Sequence, residues 1–513
     1  MSKSIMLMGT SSHVGKSIIT TALCRIFHRQ GLKAVPFKAQ NMALNSYVTR
    51  EGLEMGRAQV AQAEAAGLEP MVDMNPVLLK PTGHSCSQVI INGKPVGNMS
   101  AREYHTGYSL KAFSAVKEAL VRLQEQYEVL VIEGAGSPAE VNLKANDIVN
   151  MRVAKHLEAP VLLIADIDRG GALAALVGTL ELLEKDERAL VKGLVINKFR
   201  GDITLLQPAI DFLEAKTGKP VLGVVPHIDE MGIDDEDSVS LEEKQSAPKA
   251  SEGKLRLAVI QTPKISNFTD FASLSAEPDV ELYYVQEASG LGEPDLMLLP
   301  GSKNTTEDLL HLRECGLEAA IKEKVQQGTP LWGICGGYQM LGEKIRDPYQ
   351  MESDHGEVAG FGLLPIITTF SKEKLLTQVK AACEGMSFAG SKSLQAENMP
   401  GYEIHMGQTD FMTETIHPFT IRQGKGEDVT EHDGAVSFDG MVLGTYIHGI
   451  FDHDGFRRQL LNALRQKKGW QALTEQRNQH KEKEAAYERL ADVVEKSLDM
   501  GKLAAIMDEG EDH

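Results

Sequence analysis

Cysteine is scarce in this chain. Its 513 residues include five, Cys24, Cys86, Cys315, Cys335 and Cys383, scattered and odd in number. That pattern excludes a disulfide framework and the paired spacing of a zinc site, and it points to a reducing cytoplasm. Positive charge is short as well: 53 Lys and Arg stand against 72 Asp and Glu, a formal net charge of −19. A nucleic-acid binder needs a basic face, so that class is excluded. It also follows that an anionic substrate has to be met by locally placed cations. No apolar run reaches the roughly 18 residues of a membrane span. The first eight residues lead straight into a glycine motif, which leaves no room for a secretory leader and keeps the expected location cytoplasmic.

What is present is alternation. Apolar strand-like runs at Ile5–Met8, Ala34–Phe37, Val129–Ile132, Val161–Ala165, Gly193–Ile196 and Val221–Val224 are separated by amphipathic helical stretches. Strands apolar on both faces belong to a parallel sheet covered by helices. The pattern breaks at the acidic run Asp234–Asp237 and resumes at Leu255–Ile260, Leu296–Leu299, Leu331–Ile334 and Val442–Ile447. This predicts two doubly wound α/β domains, residues 1–235 and 255–455, joined by a linker at 236–254. A helical extension is expected over 456–513. Its apolar face, Tyr487, Leu490, Ala491, Val494 and Leu498, is expected to pack on the second domain.

Two motifs carry chemistry. Gly9-Thr10-Ser11-Ser12-His13-Val14-Gly15-Lys16-Ser17 follows a strand and opens a helix, the setting of a phosphate-binding loop one residue longer than the common form. Backbone N–H groups from Gly9, Thr10 and Gly15 would hold phosphate oxygens, Lys16 would neutralise their charge, and Ser17 would ligate Mg²⁺. Glu133 ends a buried strand and is a second Mg²⁺ candidate, against a capping role. Asp166 and Asp168 end another strand, and Asn197 a third, where open α/β sheets bind ligands. Asn197 is read as a nucleotide contact, and simple capping is the alternative for the aspartates.

The second motif is Gly333-Ile334-Cys335-Gly336-Gly337, a nucleophile-elbow frame after an apolar strand. A free thiol is mostly protonated at neutral pH and needs a base. His448, in Tyr446-Ile447-His448-Gly449, follows a strand and precedes a glycine, which makes it the candidate.

On these residues the first half resembles dethiobiotin synthetase, through the loop, the Phe37-Lys38 step, Asn75–Pro81 and Glu133-Gly134-Ala135-Gly136. The resemblance implies transfer of the γ-phosphoryl group of ATP to a carboxylate. Lys38 would then lie near the phosphate and Glu133 near Mg²⁺, and Lys80 is left between such a role and a structural one. The second half resembles class I glutamine amidotransferases, in which the cysteine attacks the side-chain amide of L-glutamine and the histidine moves protons. Backbone groups of Gly301, Ser302 and Gly336 would form the oxyanion hole. That family places a Glu two residues after the histidine; here the position is Ile450. The imidazole is therefore held by another acceptor or works in a dyad, with Glu403 and His405 as candidate neighbours.

Taken together, the halves resemble the cobyrinate-type amidotransferases of corrinoid biosynthesis. The stretches that carry this are Lys38–Ser46, Met55–Gln59, Asp147–Met151, Ala165–Gly171, Asn197–Asp202 and Gly401–His405. The resemblance implies an ATP- and Mg²⁺-dependent ligase that amidates the b, d, e and g carboxylates of adenosylcobyrinic acid a,c-diamide with ammonia from glutamine. The rival within the family is cobyrinic acid a,c-diamide synthase; a more distant rival is a P-loop switch ATPase with a silent amidotransferase-like module. Candidate substrate contacts are Gln40, Asn41, Asp166, Asp168 and a cationic rim of Arg57, Lys80, Arg152, Arg169 and Arg200.

Overall fold

The structure, a computed structural model, describes residues 2–83, 85–228, 232 and 253–509. All but Gly253 and Lys254 of the linker expected over 236–254, and the acidic run before it, lie outside the described residues. The chain divides into two compact units. The first comprises residues 1–42, 55–234 and 480–513, and the second residues 43–54 and 235–479.

The first unit is built on a six-stranded sheet in the order 221–226, 191–199, 161–166, 3–9, 129–133, 34–37. Every pairing in it is parallel. All six strands coincide with runs expected from the sequence. Ile5, Leu7, Val131, Leu162, Ile164 and Val195 are fully buried, as a sheet covered on both faces requires. Helix Lys16–Arg29 covers one face with Ile19, Ala22, Leu23 and Ile26, a 3.6-residue stripe. Helix Ser109–Gln126 presents Ala112, Ala115, Val116, Ala119, Leu120 and Leu123 at the same spacing. A four-stranded sheet, 40–42, 77–83, 86–91 and 94–100, is attached to this unit.

The C-terminal helix corrects an expectation. Helix Gln479–Ser497 packs Tyr487, Leu490, Ala491 and Val494 into the core of the first unit, beside Ile19, Leu23 and Ile26, and not on the second. The apolar periodicity shows that the helix needs a core without showing which. Its flanking acids fix the choice: Arg25 pairs with Glu484 and Glu488, and Arg29 with Asp492 and Glu495. The helix ends with Leu498 bridged to Gly223, where an added Cβ would lie 2.0 Å from the Ser497 carbonyl oxygen.

The second unit has a six-stranded sheet ordered 280–285, 255–260, 296–299, 331–334, 442–445, 435–436. It is parallel except for its last pairing. A long antiparallel hairpin, Ile366–Phe388 with Ser391–Phe411, extends beside it. Four register shifts interrupt that hairpin, which erases the strict two-residue alternation a strand leaves in sequence. Trp332 is the centre of the core. Its ring meets Phe451 at 5.0 Å and Phe388 at 5.2 Å in edge contacts, anchoring the strand that leads to Cys335.

Candidate active site

In the first unit, the loop after strand Lys3–Gly9 lies at the carboxyl ends of the parallel strands. Gly15 adopts φ 94°, where an added Cβ would come 2.1 Å from the Asn197 side-chain nitrogen. Only glycine fits there. The buried Lys16 donates from Nζ to the carbonyls of Ser11, at 3.1 Å, and Gly136, at 3.3 Å. Glu133 is 1% exposed and collects three donors: Ser17 Oγ at 2.9 Å, Lys38 Nζ at 2.9 Å and Gln62 Nε2 at 2.6 Å. A buried carboxylate is stable only when paired and hydrogen-bonded in this way. Asn75 in turn donates to the carbonyl of Lys38 at 3.1 Å, fixing the backbone that carries the lysine. The sequence had no marker for Gln62, and it marked Asn75 only as the first residue of the Asn75–Pro81 stretch.

The other expected residues of this unit are dispersed. Asn197 donates to the Val14 carbonyl at 2.8 Å, so its amide braces the loop itself. Lys198 ties the same loop, through the His13 carbonyl at 2.7 Å, to Asp166 at 2.9 Å. Asp168 lies 3.4 Å from Arg200. Arg169 is exposed, and Arg57 is half-buried. Gln40 accepts from the Tyr104 hydroxyl at 2.5 Å, and the buried Asn41 donates to Gln59 at 3.0 Å. Lys80 is buried in its strand. Arg152 donates to the carbonyls of Asp147 and Ala145, which makes it a loop brace.

In the second unit, Cys335 sits between strand Leu331–Ile334 and helix Gly336–Met340 with φ 51° and ψ −107°. A non-glycine residue held there is strained, as at a nucleophile elbow, and the side chain is buried at the sharp turn. The turn needs Gly337, where an added Cβ would be 2.0 Å from the Leu299 carbonyl oxygen. Cys335 N donates to the Thr445 carbonyl at 2.8 Å, and Sγ lies 3.6 Å from the Ile404 carbonyl. An added Cβ on Gly301 would approach His448 Cε1 at 3.3 Å, and one on Gly336 would approach the Ser302 nitrogen at 2.8 Å. The three expected oxyanion-hole residues thus converge beside the histidine.

His448 is fully buried, and its Nδ1 meets Asp270 Oδ2 at 2.7 Å. The other Asp270 oxygen accepts from the Gly449 N–H at 3.0 Å. This resolves the absent Glu at position 450: an aspartate 178 residues upstream takes its place. Glu403 and His405 do not. They form their own 3.9 Å contact, with His405 Nδ1 against the Gly407 carbonyl at 2.7 Å. Burial opposes the charged imidazolium, but the Asp270 carboxylate and the neighbouring Cys335 outweigh it and push His448 up to about 10. Tyr402 stacks on the imidazole at 5.1 Å and exchanges backbone hydrogen bonds with His448.

The turn after the histidine is held by the buried Arg457, which donates to the Phe451 carbonyl at 2.8 Å and pairs with Glu277 at 2.7 Å. Asp433 accepts from the Thr445 hydroxyl and the Tyr446 N–H, pinning the strand end before it. Burial first, and Glu403 second, push Asp433 up to about 7.

Family models match both halves. Residues 5–239 match a CobQ/CobB/MinD/ParA nucleotide binding domain, and residues 256–456 a CobB/CobQ-like glutamine amidotransferase domain. The cobyric acid synthase of Moorella thermoacetica is 55% identical over 508 residues, 99% of this chain and 98% of that one. The chain belongs to the cobyric acid synthase family. The Pelotomaculum thermopropionicum cobyric acid synthase is 57% identical over 91% of this chain and 89% of its own length, and that of Streptococcus sanguinis 49% identical over the full length of both. As a member of this family the chain is a glutamine-dependent amide ligase with a nucleotide-binding domain. Among the described residues, no helix is long and apolar enough to cross a membrane.

Proposed function

We propose that the chain converts adenosylcobyrinic acid a,c-diamide to adenosylcobyric acid, amidating the b, d, e and g carboxylates with one glutamine and one ATP for each. The observation that carries the reading is the Asp270–His448 pair, with Cys335 at the elbow beside it, in a chain that also holds a phosphate loop with Lys16, Lys38 and Glu133.

In the glutamine reaction the Cys335 proton moves to His448 Nε2, and Asp270 stabilises the imidazolium through Nδ1. The thiolate attacks the side-chain amide carbon of glutamine, and backbone N–H groups around Gly301, Ser302 and Gly336 hold the developing oxyanion. His448 returns the proton to the amide nitrogen as the C–N bond breaks, ammonia leaves, and water hydrolyses the thioester to glutamate.

In the ligase reaction a corrinoid carboxylate attacks the γ-phosphorus of ATP and ADP departs. Ammonia attacks the acyl phosphate, and phosphate leaves to give the amide. Lys16 and Lys38 neutralise charge on the transferring group. The Ser17 hydroxyl and Glu133 carboxylate, 2.9 Å apart beside the loop, are hard oxygen donors that suit Mg²⁺, an ion that keeps several of its own waters. Bound magnesium supplies charge neutralisation at the phosphate oxygens. Arg57 and Arg169 are retained as contacts for the polyanionic substrate.

Incubation with the a,c-diamide, ATP, Mg²⁺ and glutamine, followed by mass measurement, tests the reading. Stepwise exchange of hydroxyl for amino groups at the four named carboxylates is expected. Turnover of cobyrinic acid at the a and c positions instead would assign the rival reaction. Partially amidated corrinoids should appear free in solution, because similar carboxylates processed at one ATP site require the substrate to rebind.

A further inference from the structure

The stretch Lys38–Ser46 is distinctive in sequence, yet the phosphate-loop chemistry uses only its first residue. Its last four residues, Ala43–Ser46, have a different location. The chain departs from the first unit after Met42 and rejoins it at Met55, and the residues in between, Ala43–Glu54, are part of the second unit. There Ser46–Val48 forms a short strand.

This arm meets the parts that hold the histidine. The buried Asn45 accepts through Oδ1 from the Phe268 N–H at 3.3 Å, and Asn267 Oδ1 accepts from the Ser46 N–H at 3.0 Å. Asn267, at φ 52°, opens the 3₁₀ turn Phe268–Phe271, which carries Asp270. The Ser46 carbonyl accepts from the Tyr402 hydroxyl at 3.3 Å, and Tyr47 stands edge-on to the Tyr402 ring at 5.3 Å. Tyr402 is the residue stacked on His448. The far end of the arm is fixed by the buried Glu54–Lys374 pair at 2.5 Å and by Gln378, which donates to the Tyr47 hydroxyl at 3.0 Å.

Asp270 and Tyr402 fix the imidazole from two directions, one in its plane and one on its face, and the arm contacts both. We infer that Asn45, Ser46 and Tyr47 are positioning residues for the glutaminase base, acting on His448 through Asp270 and Tyr402. The glutamine site is thus completed by a dozen residues lying within the sequence of the ATP-binding half. The inference rests on the reading of His448 as that base. A buried hydrogen-bonded chain of this kind specifies one geometry because its members have no water to fall back on. A small displacement of a catalytic group is costly to rate.

The test uses the full chain carrying Asn45→Ala, Asn45→Asp, Asn267→Gly or Tyr47→Phe, assayed for glutamine hydrolysis and, separately, for synthesis with added ammonium. Asn45→Ala and Asn267→Gly are expected to lower the glutaminase kcat roughly tenfold or more with little change in KM. Their alkaline limit should fall toward that of Asp270→Asn, because the Asp270 carboxylate is what holds His448 up. Asn45→Asp keeps the acceptor and should restore most of the activity; Tyr47→Phe should have a smaller effect of the same kind. Ammonium-driven synthesis should stay at the wild-type rate, which also reports that each variant is folded. An unchanged glutaminase pH profile in both Asn45→Ala and Asn267→Gly overturns the inference, as does an equal loss of both activities across the set. If Cys335→Ala itself leaves glutamine hydrolysis intact, the reading of the site fails rather than the role of the arm.

Discussion

The two sites differ in how far they reach along the chain. In the first unit, the phosphate loop lies within nine consecutive residues, and the groups around it, Lys38, Gln62 and Glu133, all meet on one carboxylate. In the second unit, Cys335, His448 and Asp270 come from separate elements, the aspartate lying 178 positions before the histidine. A loop that grips phosphate with backbone is written as local conformation, whereas a proton relay is written only in tertiary structure. The first tolerates dispersal of its side-chain partners, and the second depends on each link of a buried chain.

That contrast is sharpest under mutation. Lys16→Ala removes the charge at the phosphates and should lower synthesis by about 10³-fold or more with either glutamine or ammonium, while glutamine hydrolysis without nucleotide survives. Rate measurements with each nitrogen source check this, and retained synthesis would break the comparison at its first member.

Asp270→Asn comes next. Loss of the partner that charges His448 should cost glutamine hydrolysis about 10²-fold and leave ammonium-driven synthesis unaltered. The pH profile carries the sign. Because His448 is raised from 6.5 to about 10, its favourable pairing is complete below the ordinary histidine value and is lost as pH rises through about 10. Wild-type hydrolysis should therefore fall on that alkaline limb, and Asp270→Asn should move the limb down toward the ordinary histidine range. An unmoved limb would mean that Asp270 does not set the imidazole.

Leu490→Ala opens a cavity in the core of the first unit and should cost about 2–5 kcal/mol. Hydrogen exchange should quicken in strands 3–9 and 221–226, with the strands of the second unit unaffected. Faster exchange in the second unit instead would reinstate the packing expected from sequence.

The smallest effect is expected at Tyr487→Phe, which removes a hydroxyl bonded to Glu64 at 2.8 Å. A loss of about 0.5–1.5 kcal/mol is expected in a denaturant titration.

Legibility followed the same division. All six strands of the first sheet stood out because a parallel strand buried on both faces is a continuous apolar run. In the second sheet the central strands 255–260, 296–299, 331–334 and 442–445 stood out for that reason. The edge strand Val280–Val285 carries Glu281 and was not recognised, and the hairpin 366–411 was hidden by its register shifts. Cys335 and His448 were visible because glycines and a strand end mark them. Asp270 has no such marker, since its role exists only where the turn after Asn267 meets the histidine. The direction of the C-terminal helix was also hidden, although Glu484, Glu488, Asp492 and Glu495 are spaced to meet Arg25 and Arg29. A charge pattern becomes an address only when its partner is known.

We propose that Cys335 makes ammonia for chemistry performed by the nucleotide-binding half, and does not act on the corrinoid. The most direct measurement compares amide formation by Cys335→Ala with glutamine and with added ammonium. A loss on the order of 10⁴-fold with glutamine and an unchanged rate with ammonium are expected. Equal loss with both nitrogen sources, or full retention with glutamine, would contradict it.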